Sequence, residues 1–382
     1  MEKIRYFDHA ATTKLDDEVL MAMLPYLKEN YGNPSSIYSL GKINKEAINV
    51  ARIKIASSIN CKSEEIYFTS GGSESDNLCI KGIALANRKR GNHIITTKIE
   101  HPAVLNTCKF LEMMGFRVTY LNVDNNGFIN LKELERAINR NTILISIMFA
   151  NNEIGTIQKM NEISKIAKKY RVYLHSDCVQ AIGNIKLDVK RLGLDSISAS
   201  GHKFYGPKGI GFAYIREGIP FYRMIEGGHQ ERDKRSGTEN VAGIVGLGKA
   251  IEIADINLSE NSKKLKELRN FYVKNISDSI HNIKINGDLE ERLPGNINIC
   301  FKGIEGSELL KALDKKGICA SSGSACSAGF LNPSHVLTAI GVNNRLARGS
   351  LRVTFGKDNN IDDVKFLVKN LIEIVDKLRK NN

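Results

Sequence analysis

Lys203 and Asp177 stand where they could hold a pyridine cofactor. Lys203 follows a run of small residues (198–201, Ser-Ala-Ser-Gly), which lets a flat ring approach the backbone closely. Asp177 comes directly after the apolar strand pattern of residues 172–176. A lysine amine can hold an aldehyde as a Schiff base, and a carboxylate can keep a pyridine nitrogen protonated so that the ring accepts electrons. Together they predict a pyridoxal 5′-phosphate site, although a surface charge and a structural helix cap are the simpler interpretations of each residue alone.

The segment 69–75 (Thr-Ser-Gly-Gly-Ser-Glu-Ser) has the composition of a phosphate-binding turn. It joins a predicted strand to a predicted helix, and the backbone N–H groups at a helix N-terminus favour an anion. The segment has neither the Gly-Lys-Ser/Thr of a Walker loop nor the spacing of a dinucleotide fingerprint, so a simple tight turn is the alternative. Ser200 and His202 lie close enough to Lys203 to add donors, and residues 235–238 (Arg-Ser-Gly-Thr) offer another hydroxyl and a charge.

His101 and Asn152 follow predicted strands, as Asp177 does. Pro102 suits the first turn of a helix, which places His101 at a strand-to-helix junction. An imidazole there could stack on a pyridine ring or move protons, whereas most histidines are packing or surface residues. Asn152 follows the apolar run 143–150 and gives the weaker signal. Both side chains are expected at the edge of the sheet where ligands bind.

Cys326 lies in a segment (321–329) of serine, glycine and alanine, which is unlike a core position. As a thiolate it could attack a sulfur atom held on the cofactor. Cys319 resembles a packed strand residue instead. Arg352 stands inside an apolar strand pattern and needs a partner. Its planar guanidinium fits an amino-acid carboxylate, and an internal salt bridge is the alternative.

The composition indicates a globular protein with about two domains. The chain has 382 residues, of which 42% are apolar and 25% charged, and its seven cysteines include no Cys-x-x-Cys pair. A disulfide framework and a zinc motif are therefore not predicted. The start carries no secretory signal and no apolar run could span a bilayer, so we expect a cytoplasmic protein without a membrane partner. The net charge of +13 is spread along the chain, which favours a solvated basic surface over direct nucleic-acid binding.

Strand and helix patterns alternate between residues 65 and 215, which predicts an α/β fold. The strands are near-continuous apolar runs, as expected for a largely parallel sheet sandwiched by helices. The seven predicted strands are 66–69, 93–97, 118–122, 143–150, 172–176, 196–199 and 211–215. We expect ligands beyond the C-terminal ends of the parallel strands.

A smaller C-terminal α/β unit is predicted after residue 238. Its predicted elements are a long helix at 241–280, a strand at 296–301, a helix at 307–316, a strand at 351–355 and a helix at 361–379. We place the domain boundary near residue 255, inside the long helix. Residues 15–255 then form the large cofactor-binding domain. Residues 1–14 and 256–382 form the small domain, which carries the Cys326 loop.

The motifs resemble those of the cysteine desulfurases, which are class V aminotransferases within the fold-type I pyridoxal phosphate enzymes. The likeness extends along the whole chain and is to the nitrogen-fixation and iron–sulfur assembly type. The segments that carry it are 6–13 (YFDHAATT), 32–36 (GNPSS), 70–77 (SGGSESDN), 100–104 (EHPAV), 151–155 (NNEIG), 200–209 (SGHKFYGPKG), 227–231 (GGHQE), 235–238 (RSGT) and 322–326 (SGSAC).

The resemblance implies a role for each candidate residue. Lys203 would hold the cofactor and remove the substrate α-proton, His101 would stack on the ring and assist proton transfer, and Cys326 would take the sulfur. The other implied contacts are Asp177 at the pyridine nitrogen, Gln180 and Asn152 at the ring oxygen or substrate, Gly72, Ser73, Ser200 and His202 at the phosphate, Asn33 and Arg352 at the substrate carboxylate, and Thr238 at the phosphate of the neighbouring subunit. The last contact implies a homodimer with shared sites.

The implied reaction converts L-cysteine to L-alanine and leaves a persulfide on Cys326. The sulfur would pass to an iron–sulfur scaffold or another acceptor protein, and Cys326 is also expected to act as a transient iron–sulfur ligand. We expect the protein to lack the extended tail that follows the last helix (361–379) in the housekeeping enzymes, which leaves the identity of the scaffold open. An aminotransferase or a selenocysteine lyase would share Lys203 and Asp177. Outside the enzymes, the alternative is a non-catalytic scaffold of the same fold, for example in a tRNA-thiolation complex.

Overall fold

The computed structural model describes residues 4–322 and 333–380. Cys326 therefore lies outside the described residues. The strands of the described ranges are β1 (Arg5–Tyr6), β2 (Ile66–Thr69), β3 (His93–Thr97), β4 (Arg117–Leu121), β5 (Thr142–Ser146), β6 (Tyr173–Asp177), β7 (Ser196–Ser200), β8 (Gly211–Ile215), β9 (Ile283–Asn286), β10 (Asn296–Phe301), β11 (Ile318–Cys319) and β12 (Ser350–Thr354). The helices of these ranges are α1 (Asp17–Lys28), α2 (Ser39–Ile59), α3 (Gly72–Ala86), α4 (Pro102–Met113), α5 (Leu131–Ala137), α6 (Met160–Lys169), α7 (Val189–Leu192), α8 (Val241–Ile256), α9 (Leu258–Ser279), α10 (Gly306–Asp314), α11 (His335–Ala339), α12 (Asn344–Ala347) and α13 (Ile361–Lys380).

A seven-stranded sheet organises the N-terminal two thirds of the chain. Its order is β2-β8-β7-β6-β5-β3-β4; the strands from β7 to β4 run parallel, and β8 is antiparallel to both of its neighbours. The predicted α/β fold with a mostly parallel sheet is confirmed. β5 ends at Ser146, before its predicted boundary at residue 150, although Phe149 still donates its N–H to the Asp177 carbonyl of β6 (2.9 Å).

Helices cover both faces of this sheet. Ile66 and Phe68 of β2 pack into an apolar cluster with α2 and α8, whereas Tyr67 packs with α3 and α4 on the opposite face. Burial on both faces explains the near-continuous apolar runs in the sequence. Within residues 4–322 and 333–380, no helix has both the length and the apolar composition required to cross a bilayer.

The C-terminal part of the chain builds a second apolar cluster around an antiparallel sheet, β12-β10-β9. Phe7 belongs to this cluster together with side chains of α9 and α13, and β1 pairs with β11. The N-terminal segment therefore packs with the C-terminal part. On this packing we propose the division into a domain of residues 15–255 and a domain of residues 1–14 with 256–382.

The prediction of one helix across 241–280 is wrong, because Asn257 separates α8 from α9. Its side-chain amide donates to the Ile253 carbonyl (2.9 Å). Asparagine side chains that bond the neighbouring backbone compete with the continuing helix, which accounts for the break. The break falls close to the proposed domain boundary.

Arg52 and Glu231 form a buried ion pair that ties a loop to the sheet. The guanidinium donates to both carboxylate oxygens (2.8 and 2.7 Å) and to the Ile66 carbonyl (2.6 Å). The Glu231 carboxylate also accepts the Phe68 N–H (2.9 Å). Because β2 leads into the glycines before α3, this pair fixes the strand that precedes the predicted phosphate turn.

Replacing Glu231 with alanine should lower the free energy of unfolding by about 3–5 kcal/mol, because it leaves the Arg52 guanidinium buried without its carboxylate. Urea denaturation measures the change. The matched control is Glu217→Ala, which breaks the Lys62–Glu217 pair; its side chains are 61% and 69% exposed, so stability should change little. Equal effects of the two substitutions would contradict the structural role of the buried pair.

Candidate active site

Ten of the twelve candidate residues in the described ranges line one cavity of about 600 Å³. The cavity lies where β5, β6 and β7 end, as expected for ligands of a parallel sheet. The ten residues are Gly72, Ser73, His101, Asn152, Asp177, Gln180, Ser200, His202, Lys203 and Arg352. Residues far apart in the sequence thus meet at one place.

Lys203 ends a short 3-10 turn directly after β7. Its amine donates to the carbonyl oxygens of Ala10 and Ala11, at 2.7 Å each. Gln180 donates its side-chain amide to the same Ala10 carbonyl (3.0 Å). The N-terminal segment therefore positions the lysine amine in the cavity, and Thr13 strengthens this contact by donating its N–H to the His202 carbonyl (2.9 Å).

Asp177 is the last residue of β6 and is 6% exposed. One carboxylate oxygen accepts the Val179 N–H at 2.9 Å. Burial, together with the neighbouring Asp76 carboxyl, raises the pKa of Asp177 to about 7, while His101 acts in the opposite direction. No lysine or arginine pairs with Asp177 among the described residues. A cation placed beside this carboxyl would favour its ionised form.

His101 is the N-cap of α4, and its Nδ1 accepts the Ala103 N–H at 3.2 Å. This acceptor role places the ring proton of the neutral imidazole on Nε2. Burial lowers the pKa of His101, and the Lys203 and His335 side chains lower it further against the opposing charge of Asp177. A neutral imidazole that can exchange a proton therefore lies beside the lysine amine.

The start of α3 forms the part of the cavity that best suits an anion. The first N–H groups of a helix lack backbone partners within the helix, so they are available to a ligand. A Cβ atom on Gly72 would lie 2.7 Å from the Val179 side chain, which explains the glycine at this position. Ser200 and His202 line the same cavity. Burial, with nearby lysines, lowers the pKa of His202 to about 4, so this ring contributes a hydrogen bond rather than a charge at neutral pH.

Arg352 in β12 forms the internal salt bridge that was the alternative interpretation of its sequence position. Its guanidinium donates to the Asp8 carboxylate (2.7 Å) and to the Asn152 carbonyl (3.1 Å), and it also lines the cavity. Asn296 donates to the same Asn152 carbonyl (3.2 Å). The arginine is therefore held in place by an internal salt bridge while it remains at the cavity wall.

Asn33 and Thr238 are the two candidates outside this cavity, and both are exposed. The Asn33 side chain accepts the Ser35 N–H (2.9 Å). The thiol of Cys326 lies outside the described residues, but the residues on either side of residues 323–332 lie beside the cavity. Ser321 exchanges backbone hydrogen bonds with Arg352, and Pro333 lines the cavity wall.

The sequence reasoning missed Asp76, Glu153 and His335, which also line the cavity. Asp76 follows Gly72 by one helical turn, and this spacing was the available signal. Ser334 donates to the Glu153 carboxylate (2.5 Å), and His335 donates through Nε2 to the Glu100 carbonyl (2.9 Å). These contacts join segments distant in the chain, so no local pattern indicates them.

Comparisons with known proteins agree with this geometry. The family model of the class V aminotransferases matches residues 5–367. "Cysteine desulfurase IscS" of Clostridium botulinum (strain Hall) is 51% identical over 382 residues, which cover 100% of this chain and 96% of the relative. The protein of the same name from Methanosarcina thermophila is 53% identical over 377 residues, 99% of this chain and 93% of the relative.

The solved structure of a "NifS-like protein" superimposes with a TM-score of 0.93 at 41% sequence identity. The match covers 98% of this chain and 100% of that chain. Family model, relatives and structure thus agree over nearly the whole length, and they confirm the resemblance that the motifs indicated. The chain belongs to the class V aminotransferase family and, within it, to the cysteine desulfurases.

Proposed function

We propose that this protein is a pyridoxal-phosphate-dependent cysteine desulfurase, which converts L-cysteine to L-alanine and holds the sulfur as a persulfide on Cys326. The observation that carries the proposal is the meeting of Lys203, Asp177 and His101 in one cavity. An amine, a buried carboxyl without a lysine or arginine partner among the described residues and a neutral imidazole are the groups that this chemistry needs.

The cavity residues fit pyridoxal phosphate. The start of α3 with Gly72 and Ser73, together with Ser200 and His202, would hold the phosphate. Asp177 would face the ring nitrogen, whose positive charge suits a buried carboxyl that lacks a cation. Gln180 and Asn152 would contact the ring oxygen or the substrate, and Lys203 would hold the cofactor through its amine. When bound, the cofactor supplies an electron-accepting ring at the α-carbon of the substrate.

Lys203 and His101 would move the protons of the reaction. Lys203 would remove the α-proton of L-cysteine. His101, neutral because burial lowers its pKa, would exchange a proton through Nε2. Arg352, already oriented by Asp8, would bind the substrate carboxylate together with Asn33.

Cys326 would take the sulfur atom as its thiolate. A bond forms between Cys326 Sγ and the substrate sulfur, and the carbon–sulfur bond of the substrate breaks. The electron pair of that bond stays with carbon, which is protonated to give the methyl group of alanine. Sulfur then passes to an iron–sulfur scaffold or another acceptor protein, and Cys326 would serve as a transient iron–sulfur ligand.

A homodimer would complete the site. Leu20, Met21, Ile43, Val50 and Ile53 of α1 and α2 are exposed apolar side chains, and Ile43 and Val50 line one groove. Exposed apolar side chains that line a groove suit a second copy of the chain. Thr238 is exposed and lies outside the cavity of its own subunit. In that dimer it would reach the phosphate bound by the neighbouring subunit.

The substitution Lys203→Ala should reduce alanine production from L-cysteine by about 10²–10⁴-fold or more, because the reaction loses its proton-transferring amine. Borohydride treatment followed by peptide mass spectrometry should find the reduced cofactor on Lys203 of the parent protein only. Lys208→Ala, five residues further along, is the matched control and should keep both properties. Full activity in Lys203→Ala would refute the assignment.

The substitution Cys326→Ser should abolish the persulfide and L-cysteine turnover, because a serine hydroxyl does not replace the thiolate as a sulfur acceptor. Intact-protein mass spectrometry detects the added sulfur. Cys319→Ser is the control, since burial raises the pKa of that thiol and it lies in β11. Parent-level alanine formation by Cys326→Ser would favour a lyase mechanism without this cysteine.

The substitution Ile43→Asp should shift the protein from dimer to monomer in analytical ultracentrifugation, because it places a charge in the apolar groove. Met113→Asp on α4 is the control and should leave the dimer intact, since Met113 is also an exposed apolar residue (79%, against 47% for Ile43). A monomeric parent, or a dimer that Ile43→Asp leaves unchanged, would contradict the interface.

A further inference from the structure

A buried chain of polar side chains adjoins Asp177 and has no part in the proposed mechanism. Asp76 of α3 is 1% exposed and His175 of β6 is fully buried. His175 Nε2 lies 3.4 Å from Asp76 Oδ1, and His175 Nδ1 lies 3.1 Å from the Ser196 hydroxyl. A carboxylate oxygen of Asp76, a ring nitrogen of His101 and a carboxylate oxygen of Asp177 lie within 4.8 Å of one another. Asp76 therefore adjoins both Asp177 and His175.

Two atoms of the side chains of Asp76, His175 and Ser196 lack a hydrogen-bond partner among the residues that the structure describes. They are Asp76 Oδ1 and His175 Nε2, the same two atoms that approach each other. An aspartic acid O–H can donate to an unprotonated imidazole nitrogen, so one proton between them would satisfy both atoms. The His175 ring would then carry its own proton on Nδ1 and donate it to Ser196.

The electrostatics allow one negative charge on the two neighbouring carboxyl groups of Asp76 and Asp177. Two buried carboxyl groups so close together are not ionised at the same time without a large cost. Burial raises the pKa of both Asp76 and Asp177 to about 7. Burial lowers the pKa of His175 to about 4, so its ring is neutral and able to accept a proton in a hydrogen bond.

The other titratable groups that face Asp76 are also uncharged at pH 7. Burial raises the pKa of Glu100 to about 8 and lowers that of His101. Burial likewise raises the pKa values of three nearby thiols, Cys79, Cys108 and Cys178. These groups give Asp76 no cation. Ser198 lowers the pKa of Asp76 through its hydroxyl, and His175 supplies the nitrogen acceptor.

We propose that Asp76 keeps its proton by donating it to His175, so that Asp177 alone carries the negative charge toward the ring nitrogen of the cofactor. Asp76 and His175 are positioning residues that act through Asp177. The inference rests on the proposed function, because it assigns which of two carboxyls serves the cofactor as an anion.

The test measures, across pH, how tightly the cofactor-free protein binds pyridoxal 5′-phosphate, with the parent compared to three variants. Asp76→Asn imitates the protonated carboxyl, so the pH at which binding begins should stay within about 0.3 unit of the parent. His175→Leu removes the acceptor and lets Asp76 compete for the charge, which should raise that pH by about one unit. The double variant Asp76→Asn/His175→Leu should return it to the parent value.

Two results would overturn the inference. In the first, the pH at which cofactor binding begins falls by about one unit in Asp76→Asn, which would mean that Asp76 holds the charge in the parent. In the second, that pH does not change in His175→Leu. Histidine-labelled NMR of the cofactor-free parent decides the case if His175→Leu does not fold. The His175 ring should be neutral with its proton on Nδ1 at pH 6–8. A protonated ring or the Nε2–H tautomer would contradict the proposal. A parent that binds no cofactor at any pH would refute the proposed function, while the NMR result still decides this inference.

Discussion

The carboxyl group of Asp177 is buried at the end of β6, where burial and the adjoining Asp76 both oppose its ionisation. The strand order makes this the meeting point of the site. β5, β6 and β7 are adjacent and parallel, so Asn152, Asp177 and Lys203 emerge at one edge of the sheet. A buried carboxyl without a lysine or arginine partner among the described residues would be stabilised as an anion by a cationic ligand, and a protonated pyridine ring would supply that charge.

The N-terminal segment joins this edge to the C-terminal part of the chain. Ala10 accepts hydrogen bonds from both Lys203 and Gln180, while Asp8 pairs with Arg352 in β12. Phe7 anchors the segment in the second apolar cluster. Residues from both proposed domains therefore assemble the cavity, and the arginine suited to a substrate carboxylate depends on the same segment that holds the lysine amine.

Local patterns in the sequence predicted much of this architecture. All seven strands of the main sheet were recognisable because burial on both faces produces continuous apolar runs. Lys203, Asp177 and His101 were recognisable because each follows such a run, with small residues before Lys203 and a proline after His101. Their meeting in one cavity follows from the parallel register of the strands, and the structure bears that out.

Other features depend on tertiary contacts that no local pattern encodes. Glu153 meets Ser334 across a long stretch of chain. The spacing of Asp76 from Gly72 is local, but its approach to His175 arises only when α3 packs against β6. Asn257 broke a helix whose propensity alone looked continuous, because its side chain bonds the preceding turn. The roles of all the site residues stay predictions, and Asn33 and Thr238 differ from the others in lying outside the cavity of their own chain.

The most direct test of the central claim is the ¹⁵N NMR shift of isotope-labelled pyridoxal phosphate bound to the parent protein. If Asp177 is the anion that faces the cofactor, the ring nitrogen should give the shift of a protonated pyridinium throughout pH 6–9, and Asp177→Asn should convert it to that of an unprotonated pyridine. An unprotonated ring nitrogen in the parent, or a protonated one in Asp177→Asn, would contradict the account.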